Sequence, residues 1–322
     1  GELAGERALL PFGSHRAVFQ GSSVLPESSE LPELPEVETM RRGILPVVGR
    51  QVVAAEKPAC QLRPILLEPR IDALNRRLRG RHIEGIGRRG KRVVIEIEGD
   101  QFLVIEPRMT GLVLLADPPD QEHLRLRIRL AAGPRSAGAS QELLFWDRRG
   151  LGTVRLLKAD QLRILVDQKL GIDALQITAD QLRTRLKNSK RAIKVALLDQ
   201  SSVAGIGNLY AAEILFLAGV DPRARCDLLS RSQWERIQRA TRRVLEEAIV
   251  HEGSTLSDGT YRNALNGEGG YQHFHRVYDR KDDTCPRCGS GRIRRIVQAQ
   301  RSTFFCPACQ RRRGRHPLVA EV

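Results

Sequence analysis

The sequence predicts an α+β protein: an N-terminal helix plus an antiparallel β-sandwich, then a C-terminal helical domain ending in a four-cysteine zinc ribbon. Three observations predict it. Strand-like alternation runs through residues 51–157, helical periodicity fills residues 158–255, and two Cys-x2-Cys pairs lie near the end. At 322 residues with 41% hydrophobic content, the chain can build at least two cores, which excludes a small peptide or a disordered chain.

Residues 1–31 mix Ser, Gly, Pro and Glu without a helix or strand period, and read as a disordered extension or a mis-assigned start. In LPELPEVETMRRGILPVVG, Val37, Met40, Ile44 and Leu45 fall at helical spacing and Pro35 suits a first turn. A short helix therefore starts near residue 35. The strand segments are QVVAAEK, RVVIEIEGD, QFLVIEPRMTGLVLL, HLRLRIRLA and ELLFWDRRGLGTVRLL. In HLRLRIRLA, Leu124, Leu126, Ile128 and Leu130 alternate with Arg125, Arg127 and Arg129, giving one core face and one basic, wet face. Several such strands in succession make residues 32–157 an antiparallel sandwich or barrel domain.

Residues 158–255 read as all-helical. Thr178 with Gln181 and Ser230 with Gln233 form capping boxes, the second ahead of Trp234, Ile237, Val244, Leu245, Ala248 and Ile249. Residues 256–280, rich in Gly and Asn, read as a long flexible loop, residues 281–311 as the ribbon, and residues 312–322 as a tail.

Lys plus Arg outnumber Asp plus Glu by 53 to 38, a formal charge of +15, so a polyanion is the natural partner. Composition alone leaves a solvated basic face or a membrane surface open. No apolar run approaches the roughly 20 residues that span a bilayer, and residues 1–30 lack a secretory core. The expectation is a soluble, cytoplasmic protein. Of six cysteines, Cys60 and Cys226 stand alone and read as buried small apolar residues.

Cys285, Cys288, Cys306 and Cys309 form two Cys-x2-Cys pairs separated by 17 residues. Paired thiolates on two turns supply four tetrahedral ligands, so one structural Zn2+ is expected, with no open position for catalysis. The intervening hairpin carries Arg292, Arg294, Arg295 and Arg301, which points it towards phosphates, although a ribbon that binds only protein shares the pattern. A second motif is LLDQSSVAGIGNLYAAEILFLAGVDP. Gly205 and Gly207 permit tight turns, Asn208 is placed to cap the next helix, and free N–H groups there, with Asn208 and Lys194, would grip a phosphate. An ordinary helix hairpin is the other reading.

Three motifs in one order, Pro32-Glu33-Leu34-Pro35-Glu36-Val37-Glu38-Thr39, the turn around AGIGNLY, and the ribbon containing QRSTFFCPAC, resemble those of formamidopyrimidine-DNA glycosylases. The resemblance runs from Pro32 to about Arg311 and implies a helix-two-turn-helix domain. It also implies a bifunctional enzyme that excises oxidised purines such as 8-oxoguanine and formamidopyrimidines and nicks the strand by β,δ-elimination. Duplex DNA with damaged bases is the implied partner, bound by a monomer.

The implied nucleophile is the α-amine of an N-terminal proline, here Pro32. An α-amine has an ordinary pKa of about 8, so a useful fraction is neutral at pH 7, unlike a lysine at about 10.4. Within a peptide bond Pro32 has no amine. Leu31 stands where the family has its initiator methionine, and the expectation is a non-AUG start codon at Leu31, read as methionine and removed.

The resemblance implies Glu33 as general acid and Glu36 as a positioning or polarising group. It implies Lys91 in β-elimination and phosphate contact, and Arg301 in δ-elimination. Met109, Arg149 and Leu151 match residues that fill the gap left by a flipped base. His123 matches a histidine near DNA. Two departures stand out: Leu151 replaces the usual phenylalanine, and Glu106 replaces a common histidine. Taken singly, each charged residue reads equally as surface charge, and Met109 as core. An endonuclease VIII-like enzyme for oxidised pyrimidines is the enzyme alternative, but that branch begins PEGPE where this chain has PELPE. A non-catalytic zinc-ribbon DNA-binding protein is the alternative if the extension is retained.

Overall fold

The computed structural model describes residues 32–115, 117–132 and 142–311, so the expectations for residues 1–31 and 312–322 lie outside it. The predicted first helix is α1 (Leu34–Gly43), with Pro35 in its first turn and Glu36 Oε2 accepting the Glu33 N–H at 2.9 Å. Its apolar residues divide between two cores. Val37, Met40 and Ile44 join the sandwich core, whereas Leu34 joins the helical core. The residues around Pro32 are therefore pinned from both sides.

The sandwich is built from β1 (Val52–Glu56), β2 (Leu66–Glu68), helix α2 (Ile71–Leu78), β3 (Ile83–Arg89), β4 (Arg92–Ile97), β5 (Gln101–Glu106), β6 (Gly111–Leu114), β7 (Leu124–Leu130), β8 (Glu142–Asp147) and β9 (Thr153–Lys158). One sheet has the order β1-β7-β8-β6 and the other β2-β9-β5-β4-β3. Their inner faces meet in one apolar core that includes Val93, Ile95, Leu103, Ile105, Leu112 and Phe145. The antiparallel expectation needs one amendment. The short edge strand β2 runs parallel to β9, paired Leu66 to Thr153.

Along β7, Leu124, Leu126, Ile128 and Leu130 are buried as their alternation predicts. The uniformly wet arginine face is corrected at Arg125, which is 3% exposed. Its Nε donates to the Asp147 carbonyl at 2.8 Å and its Nη1 contacts Cys60 Sγ at 2.7 Å, so hydrogen bonding recruits this guanidinium inward.

The second half contains α3 (Ala159–Leu165), β10 (Ile172–Asp173), α4 (Ala179–Leu186), α5 (Ile193–Leu197), β11 (Val203–Ala204), α6 (Asn208–Ala218) and α7 (Arg231–Val250). The parallel ladder between β10 and β11 is the exception to the all-helical expectation. Both capping boxes form, Thr178 Oγ1 accepting from Gln181 and Ser230 Oγ from Gln233. The six apolar residues named on α7 are all buried, and α6 packs against α7 at the centre of this core.

The segment 256–280 is anchored rather than loose in its later part. Buried Glu213 of α6 accepts the N–H groups of Arg276, Val277 and Tyr278, and Tyr271 opens a 3-10 turn inside the helical core. Beyond it, β12 (Arg294–Gln298) and β13 (Arg301–Phe305) form the ribbon hairpin. Among the described residues, no helix is long and apolar enough to cross a membrane.

Candidate active site and nucleic-acid interface

The start of α6 is where the N-terminal segment meets the helical half. The chain turns through Gly205 at φ 110 and caps the helix at Gly207, whose side has no room for more than hydrogen. A Cβ there would collide with the Glu33 carboxyl carbon and lie 2.5 Å from Lys91 Nζ. Glycine at 207 thus lets three chain segments converge.

Glu33 fills the anion site that this helix start creates. Its carboxylate accepts Gly207 N–H at 2.6 Å and Leu209 N–H at 2.8 Å. This corrects the expected geometry of the turn: Asn208 is the first helical residue, not the cap, and these two N–H groups serve Glu33 rather than a phosphate. Burial raises the Glu33 pKa to about 7; Lys91 opposes the rise, Glu36 adds to it, and the two N–H donors oppose it. A carboxyl so poised holds a transferable proton near neutral pH.

Glu36, one turn on, is also fully buried, and burial raises its pKa against the Tyr210 hydroxyl and Ser254 N–H bonds. Tyr210 donates to Oε1 at 2.6 Å and the Ser254 N–H at 2.9 Å, while Ser254 Oγ lies 3.0 Å from His275 Nε2. Glu36 is therefore fixed from α1, α6 and the loop after α7. The structure brings Glu33, Glu36 and Lys91 together beside Pro32, itself buried.

A second group links the helical half to the ribbon. Lys194 is 1% exposed, its Nζ donating to Asn208 Oδ1 at 2.6 Å and to Ser302 O and Thr303 Oγ1 at 2.7 Å. The expected surface grip on phosphate is corrected for this residue: its charge is an internal tie between α5, α6 and β13. Arg301, next to Ser302, stands exposed at the hairpin tip, where Ala299 and Gln300 take the left-handed conformation.

Met109 and Arg149 lie on neighbouring turns, after β5 and β8, with Arg149 Nη1 3.4 Å from Met109 Sδ. Leu151 is partly exposed on the second turn. Glu106 pairs with Arg92 at 3.0 Å and Arg108 at 3.1 Å, so at this position the chain spends two cations on an ion-pair network. His123 is held by Asp120 at 2.8 Å and tilts against Trp146. That is a local structural engagement.

The four ribbon sulfurs lie within 4.8 Å of one another, with Cys285 to Cys309 at 3.7 Å and Cys288 to Cys306 at 3.9 Å. Tetrahedral Zn–S bonds of about 2.3 Å require S···S separations of roughly 3.8 Å, so the cluster fits zinc. Arg287 N–H and Gly291 N–H point at Cys285 and Cys288 Sγ, and a Cβ on Gly291 would crowd Cys306 Sγ at 2.8 Å.

With this geometry in view, comparison with known proteins is direct. Residues 31–154 match the formamidopyrimidine-DNA glycosylase N-terminal domain, residues 170–260 its H2TH domain, and residues 282–312 a zinc finger found in FPG and IleRS. The chain belongs to the formamidopyrimidine-DNA glycosylase family. It is 40% identical over 285 residues to the Chloroflexus aurantiacus formamidopyrimidine-DNA glycosylase, covering 87% of this chain and 98% of that one. It is 37% identical over 309 residues to the Azorhizobium caulinodans enzyme, covering 87% and 100%.

Among solved structures, wild-type Lactococcus lactis Fpg with DNA containing N7-benzyl-Fapy-dG superposes at a TM-score of 0.76 with 33% identity. The same organism's Fpg with abasic-site DNA gives 0.75 and 32%; both comparisons cover 87% of this chain and 100% of the other. The chain is thus a base-excision-repair DNA glycosylase with a zinc finger, in a family that carries glycosylase and AP-lyase activity. Sequence reasoning missed Tyr210, Ser254 and Asp147, because each acts through a buried contact distant in sequence; Tyr210 ends the AGIGNLY motif, but its bond to Glu36 spans 174 positions.

Proposed function

We propose that this glycosylase excises oxidised purines, 8-oxoguanine and formamidopyrimidines, from duplex DNA through a Schiff base on Pro32, then nicks by β,δ-elimination. The observation that carries the reading is the convergence of Glu33, Glu36 and Lys91 at the start of α6, directly beside Pro32. The reaction requires a Pro32 amine free of a peptide bond.

The amine lone pair attacks C1′, the C1′–base bond breaks, and the base leaves with a proton. Opening of the sugar ring converts the C1′ adduct to an iminium as the nitrogen gives up its proton; of the two protons taken up by the departing base and the ring oxygen, the amine supplies one and Glu33 the other. The iminium acidifies C2′. Loss of that proton expels the 3′-phosphate, and a further proton loss at C4′ expels the 5′-phosphate. Lys91 supports the first elimination and Arg301 the second. Hydrolysis of the iminium frees the amine.

Met109, Arg149 and Leu151 form the group that fills the space left by the flipped base, supported by their placement on two touching turns. Asn208 and His123 contribute to DNA contact, and Lys194 acts there through Asn208 and β13. One structural Zn2+, held by Cys285, Cys288, Cys306 and Cys309, keeps the arginine hairpin folded. Zinc supplies cross-linking of the two turns when bound.

Borohydride trapping tests the substrate class. Protein begun at Pro32 is offered duplexes bearing either 8-oxoguanine or an oxidised pyrimidine. Faster adduct formation with 8-oxoguanine supports the proposal, and preference for the pyrimidine assigns the chain to the endonuclease VIII-like activity instead.

A further inference from the structure

Asp147 ends β8 directly below the turn that carries Arg149 and Leu151, and its side chain is fully buried. A buried carboxylate is costly unless its oxygens are hydrogen-bonded. Here each oxygen is used. Oδ1 accepts the Thr110 hydroxyl at 2.5 Å and the Arg149 N–H at 3.2 Å, and Oδ2 accepts the Gly152 N–H at 2.8 Å.

These three donors come from two different turns. Thr110 follows Met109 on the turn between β5 and β6, whereas Arg149 and Gly152 flank Leu151 on the turn between β8 and β9. Thr110 Oγ1 also accepts the Arg149 N–H at 3.0 Å, so Asp147, Thr110 and Arg149 form a closed triangle. Surrounding groups leave little slack. A Cβ on Gly111 would lie 2.5 Å from Pro107 O, and one on Gly152 would lie 2.6 Å from the Phe145 ring. The backbone of Asp147 is tied as well, its N–H to His123 O at 3.0 Å and its carbonyl to Arg125 Nε at 2.8 Å.

We propose that Asp147 is a positioning residue that locks the Met109 and Arg149 turns into one rigid wedge, so that both side chains enter the helix as a unit. The inference rests on the wedge reading of Met109 and Arg149 given above. Two further contacts cross between the turns, the Arg149 N–H to Thr110 Oγ1 and Arg149 Nη1 to Met109 Sδ, and Asp147 is the one buried charge in the set. Ala at 147 removes both acceptor oxygens, so Thr110, Arg149 and Gly152 lose their shared partner and the Thr110–Arg149 bond alone is left of the triangle.

The wedge matters only when a base must leave a paired duplex, because a single-stranded abasic site needs no gap filled. Asp147→Ala, in protein begun at Pro32, is therefore assayed on duplex 8-oxoguanine and on a single-stranded abasic oligonucleotide, by turnover and borohydride trapping. A displaced wedge is expected to cost roughly 10–100-fold in kcat/KM on the duplex, since misplacement by about 1 Å has effects of that size. Trapping on the single strand changes less than about two-fold by the same argument. Thr110→Val removes both bonds by which the triangle crosses between the turns, to Asp147 Oδ1 and from the Arg149 N–H, without touching the carboxylate, and gives the same selective loss. Equal losses on both substrates, or no duplex loss in either variant, overturn the proposal. If the unaltered protein traps neither substrate, the lyase reading itself fails and the wedge lock falls with it.

Discussion

Glu33 Oε1 accepts the Leu209 N–H at 2.8 Å, joining the residue after Pro32 to the first turn of a helix 176 positions away. A helix start that attracts anions is thus satisfied by the protein's own acid. That places the Glu33 carboxyl by backbone geometry, which no rotation of a surface side chain disturbs.

Replacing Glu33 with Gln removes the proton while keeping the shape. Activity on 8-oxoguanine duplex is expected to fall by about 10²-fold or more, the usual scale for a general acid. With a folded pKa of about 7 against an ordinary 4.5, the native protein holds this proton more tightly than the unfolded chain. Stability therefore falls as pH rises from 4.5 to 7, by roughly 3 kcal/mol. In Glu33→Gln that slope flattens, as thermal melting across the window will show.

Lys91 opposes the rise of the Glu33 pKa. Its removal in Lys91→Met lifts that pKa further, so the alkaline limb of kcat/KM moves to higher pH even as overall activity drops. A pH–rate profile with an unmoved or lowered limb contradicts the arrangement.

Lys194→Met strands the acceptors on Asn208, Ser302 and Thr303 without their shared ammonium. The expected cost is about 1–3 kcal/mol, concentrated where the ribbon docks. Hydrogen exchange should quicken in β13 and in the first turn of α6 while the sandwich strands stay protected.

Much of this was legible in the sequence, for physical reasons. Alternation along β7 and the capping residues Thr178 and Ser230 are local signals, so they survive without knowledge of the fold. The spacing of four cysteines carries its own geometry. Other features were not local. Asn208 looks like a cap because its neighbours are a turn and a helix, yet Glu33 takes that role from far away. Arg125 sits in a regular alternating pattern and still turns inward, because the Asp147 carbonyl and Cys60 lie beside it in space. Glu213, an acid in an apolar helix, is intelligible only once the N–H groups of residues 276–278 are seen to converge on it.

Removing the metal probes the ribbon. With Cys306→Ser, or after strong chelation, the hairpin carrying Arg301 loses its cross-link, and zinc sites of this kind contribute folding energy directly. DNA affinity and the δ-elimination product are expected to fall together, while the melting of the sandwich domain is little changed. Retention of full DNA affinity without metal contradicts a structural zinc.

The most direct measurement of the central claim compares borohydride trapping on abasic duplex DNA by protein begun at Pro32 and by protein begun at Gly1 with its extension verified intact by mass spectrometry. The account predicts a covalent adduct at Pro32 from the first form and none from the second. An equal adduct from the intact Gly1 form, or none from the Pro32 form, would contradict it.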